Sequence, residues 1–315
     1  MSFSIIQADA IDFLRSQPAG SLDLVFGSPP YERARLYLEG GENLGIARDT
    51  EAWVAWMEDV YRAALHACKG LVAFVTEGQT RDFRYSAGPL LLAADLHRSG
   101  ITLRKPPIFH RVGISGSGGP DWLRNDYEFV LCATNGGKLA WSDNTACGTA
   151  QKFAVGGAMS YRNAEGQRYN HTHPKMLKRN ELGRDRKANS TSKTRTDKRI
   201  KDGARTGEDV QNYHATAIAN PGNVLSIPVG GGKMGGDQFS SQNEAPFPER
   251  LAEFFILSFA RPNGLVCDPF SGSGTTAAVS VRHGRRFTGC DLRKSQVSLS
   301  RKRVSQETPL SLLQP

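Results

Sequence analysis

A short apolar run that leads into a glycine turn and then a helix places the tightest limit on the fold. Residues Val266–Thr276 read V-C-D-P-F-S-G-S-G-T-T. Gly272 and Gly274 allow a tight turn and a close approach of backbone to a ligand, where a Cβ would clash. Thr275–Val281 has the character of a helix that ends near Gly284. A strand, a glycine loop and a helix in this order present unpaired backbone N–H groups to an anionic or hydroxyl-rich ligand.

The glycine turn alone fits more than one class of ligand. Residues 272–277 also match the dinucleotide pattern G-x-G-x-x-G/A, and Asp291 follows at about the spacing of an acidic residue that binds a ribose. A nicotinamide oxidoreductase is therefore one alternative. It is weakened because only one short helix follows Asp291, whereas a dinucleotide fold needs further strands there. A P-loop is excluded, because no Lys follows the glycines.

A second motif lies near the other end of the chain. Leu22–Phe26 is a short, mostly apolar run typical of a central parallel strand, and Ser28, Pro29, Pro30 and Tyr31 follow it. Open α/β sheets place ligand chemistry at the carboxyl ends of their strands. Two consecutive prolines fix φ and remove two N–H donors. The loop is therefore stiff, and it presents carbonyls, one hydroxyl and one aromatic ring.

Together, D-P-F-S-G-S-G-T-T and S-P-P-Y resemble the motifs of the S-adenosylmethionine-dependent DNA amino-methyltransferases. In that family the first motif holds the cofactor, and the second, [DNS]-P-P-[YF], is the catalytic loop. Here the catalytic motif precedes the cofactor motif, an order that resembles the permuted β class. The resemblance covers most of Phe3–Asn135 and Asn220–Val304.

The resemblance implies a class I methyltransferase fold. This is an α/β, Rossmann-like, doubly wound and mostly parallel sheet with an inserted target-recognition region, and the alternation of strand-like and helical segments predicts the same sheet. Residues 1–135 would form the catalytic half, 136–220 the basic target-recognition insertion, and 221–315 the cofactor-binding half. Apolar residues recur at helical spacing from Trp53 to Leu65, so Trp53 and Trp56 are predicted to be core residues.

The resemblance also implies a role for each motif residue. Ser28, Pro29, Pro30 and Tyr31 would be catalytic: the Ser28 hydroxyl and the Pro29 carbonyl would accept the hydrogens of the target amine, and Tyr31 would stack on the flipped base. The cofactor S-adenosyl-L-methionine would be held by Asp9, Ala10, Phe247, Pro248, Asp268, Pro269, Phe270, Ser271, Gly272, Ser273, Gly274, Thr275, Thr276, Asp291 and Leu292. Asp9 would accept from the adenine amine, and Asp291 from the ribose hydroxyls.

The first residue of the catalytic loop bears on the target base. In the resembled family D-P-P-Y is usual for adenine N6, and S-P-P-Y is more frequent for cytosine N4. Cytosine N4 is therefore favoured, and adenine N6 stays an alternative. A cytosine C5 enzyme would need a Pro-Cys nucleophile, and no cysteine here follows a proline.

Positive charge is concentrated in one segment of this 315-residue chain. The net charge is +9, and residues 162–205 hold fourteen Lys and Arg against five Asp and Glu, which leaves +9. The wider segment Lys138–Ala219 holds five aromatic residues among its basic ones: Trp141, Phe153, Tyr161, Tyr169 and Tyr213. Positive charge with interleaved aromatic residues is typical of a surface that binds a polyanion. We predict that this basic block binds double-stranded DNA through residues that include Lys175, Lys178, Arg179, Arg184 and Arg186. A non-catalytic DNA-binding protein, and a methyltransferase for RNA or a protein amide, are further alternatives.

Cysteine use and hydropathy bear on the cellular compartment, on membrane spans and on metal binding. The five cysteines are scattered and odd in number, which predicts a reducing compartment, with the bacterial or phage-encoded cytoplasmic setting as the default. No signal peptide and no run long enough to span a membrane are expected. His171, His173, Cys132 and Cys147 lack zinc spacing, so no metal is expected. The resemblance allows a companion restriction endonuclease as a partner, and the oligomeric state is left open.

Overall fold

A computed structural model describes residues 3–32, 38–39, 42–43, 48–114, 116, 118–150, 217–229, 239 and 246–307. The helices in this part of the chain are α1 (Ala10–Ser16), α2 (Thr50–Ala67), α3 (Gly88–Arg98), α4 (Glu249–Phe259), α5 (Thr275–Arg282) and α6 (Lys294–Val304). The strands are β1 (Phe3–Gln7), β2 (Leu22–Gly27), β3 (Leu38–Glu39), β4 (Glu42–Asn43), β5 (Cys68–Thr76), β6 (Thr80–Arg81), β7 (Arg84–Tyr85), β8 (Thr102–Arg104), β9 (Ile108–Val112), β10 (Tyr127–Thr134), β11 (Thr149–Ala150), β12 (Ile218–Ala219), β13 (Val224–Pro228), β14 (Leu265–Asp268) and β15 (Arg286–Asp291).

Side-chain and backbone caps explain where several helices begin. The Asp9 carboxylate accepts from the backbone N–H of Ile11 at 2.8 Å and so caps α1. Asp49 caps α2 in the same way. Helix α4 begins one residue later than the sequence predicts. Pro248 precedes it in an extended conformation, because the fixed φ of proline suits the residue before a helix as well as its first residue.

One nine-stranded sheet contains strands from the N-terminal part of the chain and from its C-terminal part. The strand order is β1-β15-β14-β2-β5-β10-β9-β13, and β8 also pairs with β10. Only β10 runs against its neighbours β5, β8 and β9, and the other pairs in this sheet are parallel. The predicted Rossmann-like, mostly parallel sheet is therefore confirmed.

Helices cover both faces of the sheet, because its central strands are buried on both sides. In β5, Leu71, Ala73 and Val75 pack with residues of α4, α5 and α6 on one face. The alternate residues Val72 and Phe74 pack with α1, α2 and α3 on the other face. Because successive side chains of a strand point to opposite faces of the sheet, one strand contributes to two separate hydrophobic cores.

The sequence patterns do not predict β8 and β9. Thr102–Arg104 and Ile108–Val112 are short and contain cationic side chains, so neither has the continuous apolar run of a central strand. Both become strands because β10 supplies partner backbone, and β9 also pairs with β13 on its other side. Propensity is weak evidence for such short segments, where pairing with neighbouring strands decides the conformation.

The chain divides into two compact units. The first comprises Met1–Cys147 and Gly222–Pro315, and the second comprises Gly148–Pro221. The first unit continues beyond Asn135 because the following segment is bonded to it, for example through Asp143 N–H to the Ser258 carbonyl at 2.9 Å. In the second unit β11 pairs antiparallel with β12. None of the described helices has the length and apolar character required to cross a bilayer.

Candidate active site

The two motif loops leave the sheet side by side. Strands β14 and β2 are adjacent and parallel, with Val266 opposite Leu24. Strand β14 connects to β15 on one side and β2 to β5 on the other, so the loops diverge at a topological switch point. The Asp268 side chain lies so close to the backbone of β2 that a Cβ on Gly27 would be 2.2 Å from Asp268 Oδ1. Ligands of doubly wound sheets bind in the crevice that such a divergence opens.

The glycine loop is shaped by its backbone and by a buried carboxylate. Gly272 and Gly274 have φ of 48° and 81°, a region that favours glycine. The Asp268 carboxylate accepts from the backbone N–H of Phe270 at 2.9 Å and from the Thr276 hydroxyl at 2.8 Å, and it ties the loop to the start of α5. Burial raises the pKa of Asp268 to about 7.

A single cavity of about 760 Å³ contains residues of both motifs. It is lined by every predicted catalytic residue, Ser28, Pro29, Pro30 and Tyr31. The predicted cofactor residues on its wall are Asp9, Ala10, Phe247, Pro248, Pro269, Phe270, Ser271, Gly272, Thr275, Asp291 and Leu292. The structure thus brings together two loops that are more than two hundred residues apart in the sequence.

Four residues predicted to hold the cofactor are not on the wall: Asp268, Ser273, Gly274 and Thr276. All but Gly274 are less than 2 % exposed. Gly274 packs against α6, since a Cβ there would lie 2.4 Å from the Ser300 Oγ. The physical reason is that a turn has two sides. One side of this loop faces the cavity, and the other is packed on the domain core.

Two carboxylates in the cavity wall already have backbone partners. Asp291 Oδ2 accepts from the Gly272 N–H and its Oδ1 from the Arg293 N–H, both at 2.9 Å. Asp9 uses Oδ1 as the cap of α1. Each carboxylate oxygen has a second lone pair, so both side chains retain acceptor capacity toward a ligand. The backbone bonds hold the Asp291 carboxylate in one position beside the glycine loop.

The proline loop is fixed by a tryptophan and ends in a chain of hydrogen bonds. Trp53 Nε1 donates to the Pro30 carbonyl at 2.8 Å. The Ser28 Oγ lies 3.3 Å from the Tyr31 Oη, and the Tyr31 Oη donates to Glu128 Oε2 at 2.8 Å. Arg111 pairs with the other oxygen of Glu128 at 3.0 Å. Burial, and then the Glu128 charge, raise the pKa of Tyr31 well above its usual value.

Sequence reasoning missed the acidic wall of the cavity, formed by Glu77 and Glu128. Thr76 pairs with Phe129 in the antiparallel ladder, so these two residues lie next to each other. Burial, and then repulsion by Glu128, raise the pKa of Glu77 to about 7. Glu77 Oε2 is buried and has no hydrogen-bond partner among the described residues. No sequence motif marks this wall, because only the reversed direction of β10 brings its first residues to the cavity.

The prediction that both tryptophans of α2 are core residues is confirmed for Trp53, and Trp56 is partly buried against the same core cluster. Trp53 is 1 % exposed. Trp56 lines the cavity, and the Arg48 guanidinium lies 4.2 Å from its ring centroid. Trp56 is at the edge of the apolar stripe of the helix. Periodicity gives the direction of a stripe but does not show where the core ends and a cleft begins.

The five predicted DNA-binding residues, Lys175, Lys178, Arg179, Arg184 and Arg186, lie outside the described residues. His171 and His173, whose spacing does not predict zinc binding, also lie outside the described residues. Across the part of the chain that the structure describes, no group of three or more His, Cys, Asp or Glu could hold a metal ion.

Comparison by sequence identifies relatives among bacterial methyltransferases. A family model for DNA methylases, N6_N4_Mtase, matches residues 22–302. The orphan methyltransferase M.BamHII of Bacillus amyloliquefaciens is 35% identical over 101 residues, which are 31% of this chain and 38% of that protein. The DNA adenine methyltransferase YhdJ of Escherichia coli K12 is 22% identical over 302 residues, 96% of this chain and 82% of that protein. The chain spans between 26% and 38% of the length of the first three relatives that it matches.

Comparison by structure gives the same fold. The PvuII DNA methyltransferase, cytosine-N4-specific, aligns with a TM-score of 0.63 at 17% identity, over 96% of this chain and 86% of that one. TTHA0409 of Thermus thermophilus, solved in complex with S-adenosyl-L-methionine, aligns with a TM-score of 0.54 at 21% identity, over 98% and 95% of the two chains. At these identities the likeness establishes the architecture of the chain.

Proposed function

The chain belongs to the N6/N4 DNA methylase family, and from this membership we propose that it transfers the methyl group of S-adenosyl-L-methionine to an exocyclic amine of a DNA base. The observation that carries the proposal is the single cavity that contains both the glycine loop and the Ser28–Tyr31 loop. A cavity of about 760 Å³ has the size of a small-molecule site. The nicotinamide oxidoreductase alternative has no support from the family match.

The cavity wall beside the glycine loop fits the cofactor. Asp291 would accept from the ribose hydroxyls, and Asp9 from the adenine amine. Phe247 packs edge-on against the core residue Phe26, with ring centroids 5.5 Å apart, and would border the methionine part. When bound, S-adenosyl-L-methionine supplies an electrophilic methyl group. The loop residues Pro269, Phe270, Ser271 and Gly272 would form the floor on which it lies.

The proline loop would prepare the amine for attack. The lone pair of an exocyclic amine is delocalised into the base, so the nitrogen is a poor nucleophile until its hydrogens are drawn out of the ring plane. The Ser28 hydroxyl and the Pro29 carbonyl would accept those hydrogens, and the Tyr31 ring would stack on the base. A base within a duplex cannot enter such a cavity, so the target base would be flipped out.

We propose cytosine N4 as the target, with adenine N6 as the alternative. Serine at position 28 favours cytosine within the resembled family, and the aligned PvuII enzyme is cytosine-N4-specific. The Escherichia coli relative YhdJ, which aligns over 96% of this chain, is an adenine methyltransferase and favours adenine instead. The order of the motifs supports assignment to the permuted β class. We further propose that the basic block binds double-stranded DNA in the bacterial cytoplasm, where a companion restriction endonuclease would recognise the same site.

Transfer of labelled methyl groups tests the proposal. The full chain should move radiolabel from S-adenosyl-L-methionine to double-stranded DNA, and digestion to nucleosides should yield N4-methylcytosine. N6-methyladenine instead would identify the alternative base. Ser28→Ala should abolish most of the transfer, whereas Ser99→Ala, which removes a hydroxyl bonded at the end of α3, should not. Label that appears in RNA or protein and not in DNA would refute the proposed substrate.

A further inference from the structure

The hydrogen-bond chain behind Ser28 has a defined direction. The Tyr31 hydroxyl has one proton, and that proton is donated to Glu128 Oε2 at 2.8 Å. Tyr31 Oη is therefore the acceptor in its 3.3 Å contact with the Ser28 Oγ. The single proton of Ser28 is used in turn, so only lone pairs of Ser28 remain for a ligand. The chain fixes Ser28 as a hydrogen-bond acceptor toward the cavity.

Methyl transfer to an amine leaves a proton that must be removed. The nitrogen lone pair forms the new bond to carbon, the electron pair of the broken bond stays on the donor's sulfur, and the nitrogen becomes cationic. An aspartate in the first position of the loop would accept a proton directly. A serine hydroxyl cannot keep an additional proton near neutral pH, so this chain needs another acceptor.

We propose that Glu128 is that acceptor and that Ser28 and Tyr31 relay the proton to it. The amine proton moves to Ser28 Oγ as the Ser28 proton moves to Tyr31 Oη and the Tyr31 proton moves to Glu128 Oε2. Ser28, Tyr31 and the methylated amine end neutral, and Glu128 has gained one proton. This inference rests on the proposed function, and it gives Tyr31 a role beyond stacking on the base.

The surroundings of Glu128 suit a carboxylate that takes up a proton. Arg111 pairs with Oε1 at 3.0 Å, which favours the charged form before the reaction and leaves Oε2 to Tyr31. Glu77 is the other acidic residue facing it across the β5–β10 ladder. Both side chains of the Arg111–Glu128 pair are mostly buried, at 18% and 13% exposure, so bulk water does not replace them easily. Glu128 acts on the amine only through Tyr31, to which it is hydrogen-bonded.

Tyr31→Phe separates the relay from stacking, because it keeps the ring and removes the hydroxyl. We expect the single-turnover rate of DNA methylation to fall on the order of 10²-fold, with unchanged affinity for S-adenosyl-L-methionine. Tyr61→Phe is the matched control, since it also removes a buried hydroxyl bond, to the Leu131 carbonyl at 2.7 Å, but outside the cavity. In Glu128→Ala, added formate should restore part of the lost rate. A Tyr31→Phe enzyme as fast as the wild type would overturn the relay.

A second readout needs no turnover. In the apo-protein labelled with ¹³C at tyrosine Cζ, the Tyr31→Phe spectrum identifies the Tyr31 signal among the eight tyrosines. Glu128→Gln should shift that signal and leave the Tyr61 signal in place. An unmoved Tyr31 signal would contradict the hydrogen-bond chain. If the wild type methylates no DNA, the proposed function fails and the relay with it, whereas a moved signal would still establish the chain of bonds.

Discussion

The close approach of Gly27 to Asp268 offers the sharpest test of how the two loops are held together. Gly27 is the last residue of β2 and precedes the proline loop. In Gly27→Ala the new Cβ would lie 2.2 Å from Asp268 Oδ1 and 2.8 Å from its Cγ. The carboxylate is 1 % exposed and is bonded to the Phe270 N–H and the Thr276 hydroxyl. It cannot move aside without losing these bonds.

The loss of stability follows from these distances. Overpacking of a well-packed interior costs about 1–3 kcal/mol. A displaced carboxylate also loses part of its hydrogen bonding, so we expect a total loss of about 2–4 kcal/mol in the free energy of unfolding. At about 2–4 °C per kcal/mol for a domain of this size, the Tm should fall by roughly 5–15 °C. Affinity for S-adenosyl-L-methionine should also fall, because the glycine loop starts at Asp268.

Urea unfolding of four proteins measures the effect: wild type, Gly27→Ala, Asp268→Ala and the double variant. If the clash is the cause, Gly27→Ala should cost much less in the Asp268→Ala background, with a coupling energy of about 1–3 kcal/mol. Gly222→Ala is the matched control, because a Cβ there meets nothing within 4 Å. Equal costs of Gly27→Ala in both backgrounds would refute the reasoning.

Three further predictions concern pH, cofactor and DNA. The pKa of Asp268 is raised to about 7 by burial, above its usual value, so the folded protein keeps this proton where the unfolded chain loses it. Asp268 should therefore contribute a fall of about 1.4 kcal/mol per pH unit to the unfolding free energy from about pH 4 to 7. Asp268→Asn should reduce the measured slope by that amount in urea titrations at several pH values, and the slope that Glu77 contributes should remain. Asp291→Ala should weaken binding of S-adenosyl-L-methionine about 10–100-fold in calorimetry with an unchanged circular dichroism spectrum, because the ribose hydroxyls then have one acceptor fewer; equal affinity would contradict the role of Asp291. Neutralising Lys175, Lys178, Arg179, Arg184 and Arg186 together should reduce the slope of log K for DNA against log salt by about 0.9 for each phosphate that is no longer neutralised, and an unchanged slope would exclude them as phosphate ligands.

Much of the fold follows from local patterns. Runs such as residues 71–76, buried on both faces, require a sheet with helices on each side, and the structure has this arrangement. The patterns did not predict β8 and β9, whose strand conformation depends on pairing with β10. A local pattern indicates what a segment prefers, whereas a short strand with a weak pattern forms because neighbouring strands offer hydrogen bonds.

The parts of the site that depend on backbone chemistry can be predicted from the amino-acid sequence. Glycines at 272 and 274 permit the left-handed turn, and prolines at 29 and 30 stiffen the loop, whatever surrounds them. These properties belong to each residue, so they can be recognised without a structure.

The remaining side chains of the cavity wall are placed there by tertiary packing. Glu128 is near the start of β10, and the antiparallel direction of this strand brings it beside the carboxyl end of β5 and within reach of Tyr31. Trp56 lines the cavity, although Trp53, one turn earlier on the same helix, is in the core. Strand direction and helix placement are set by packing across the whole domain, because each depends on partners that are distant in the sequence.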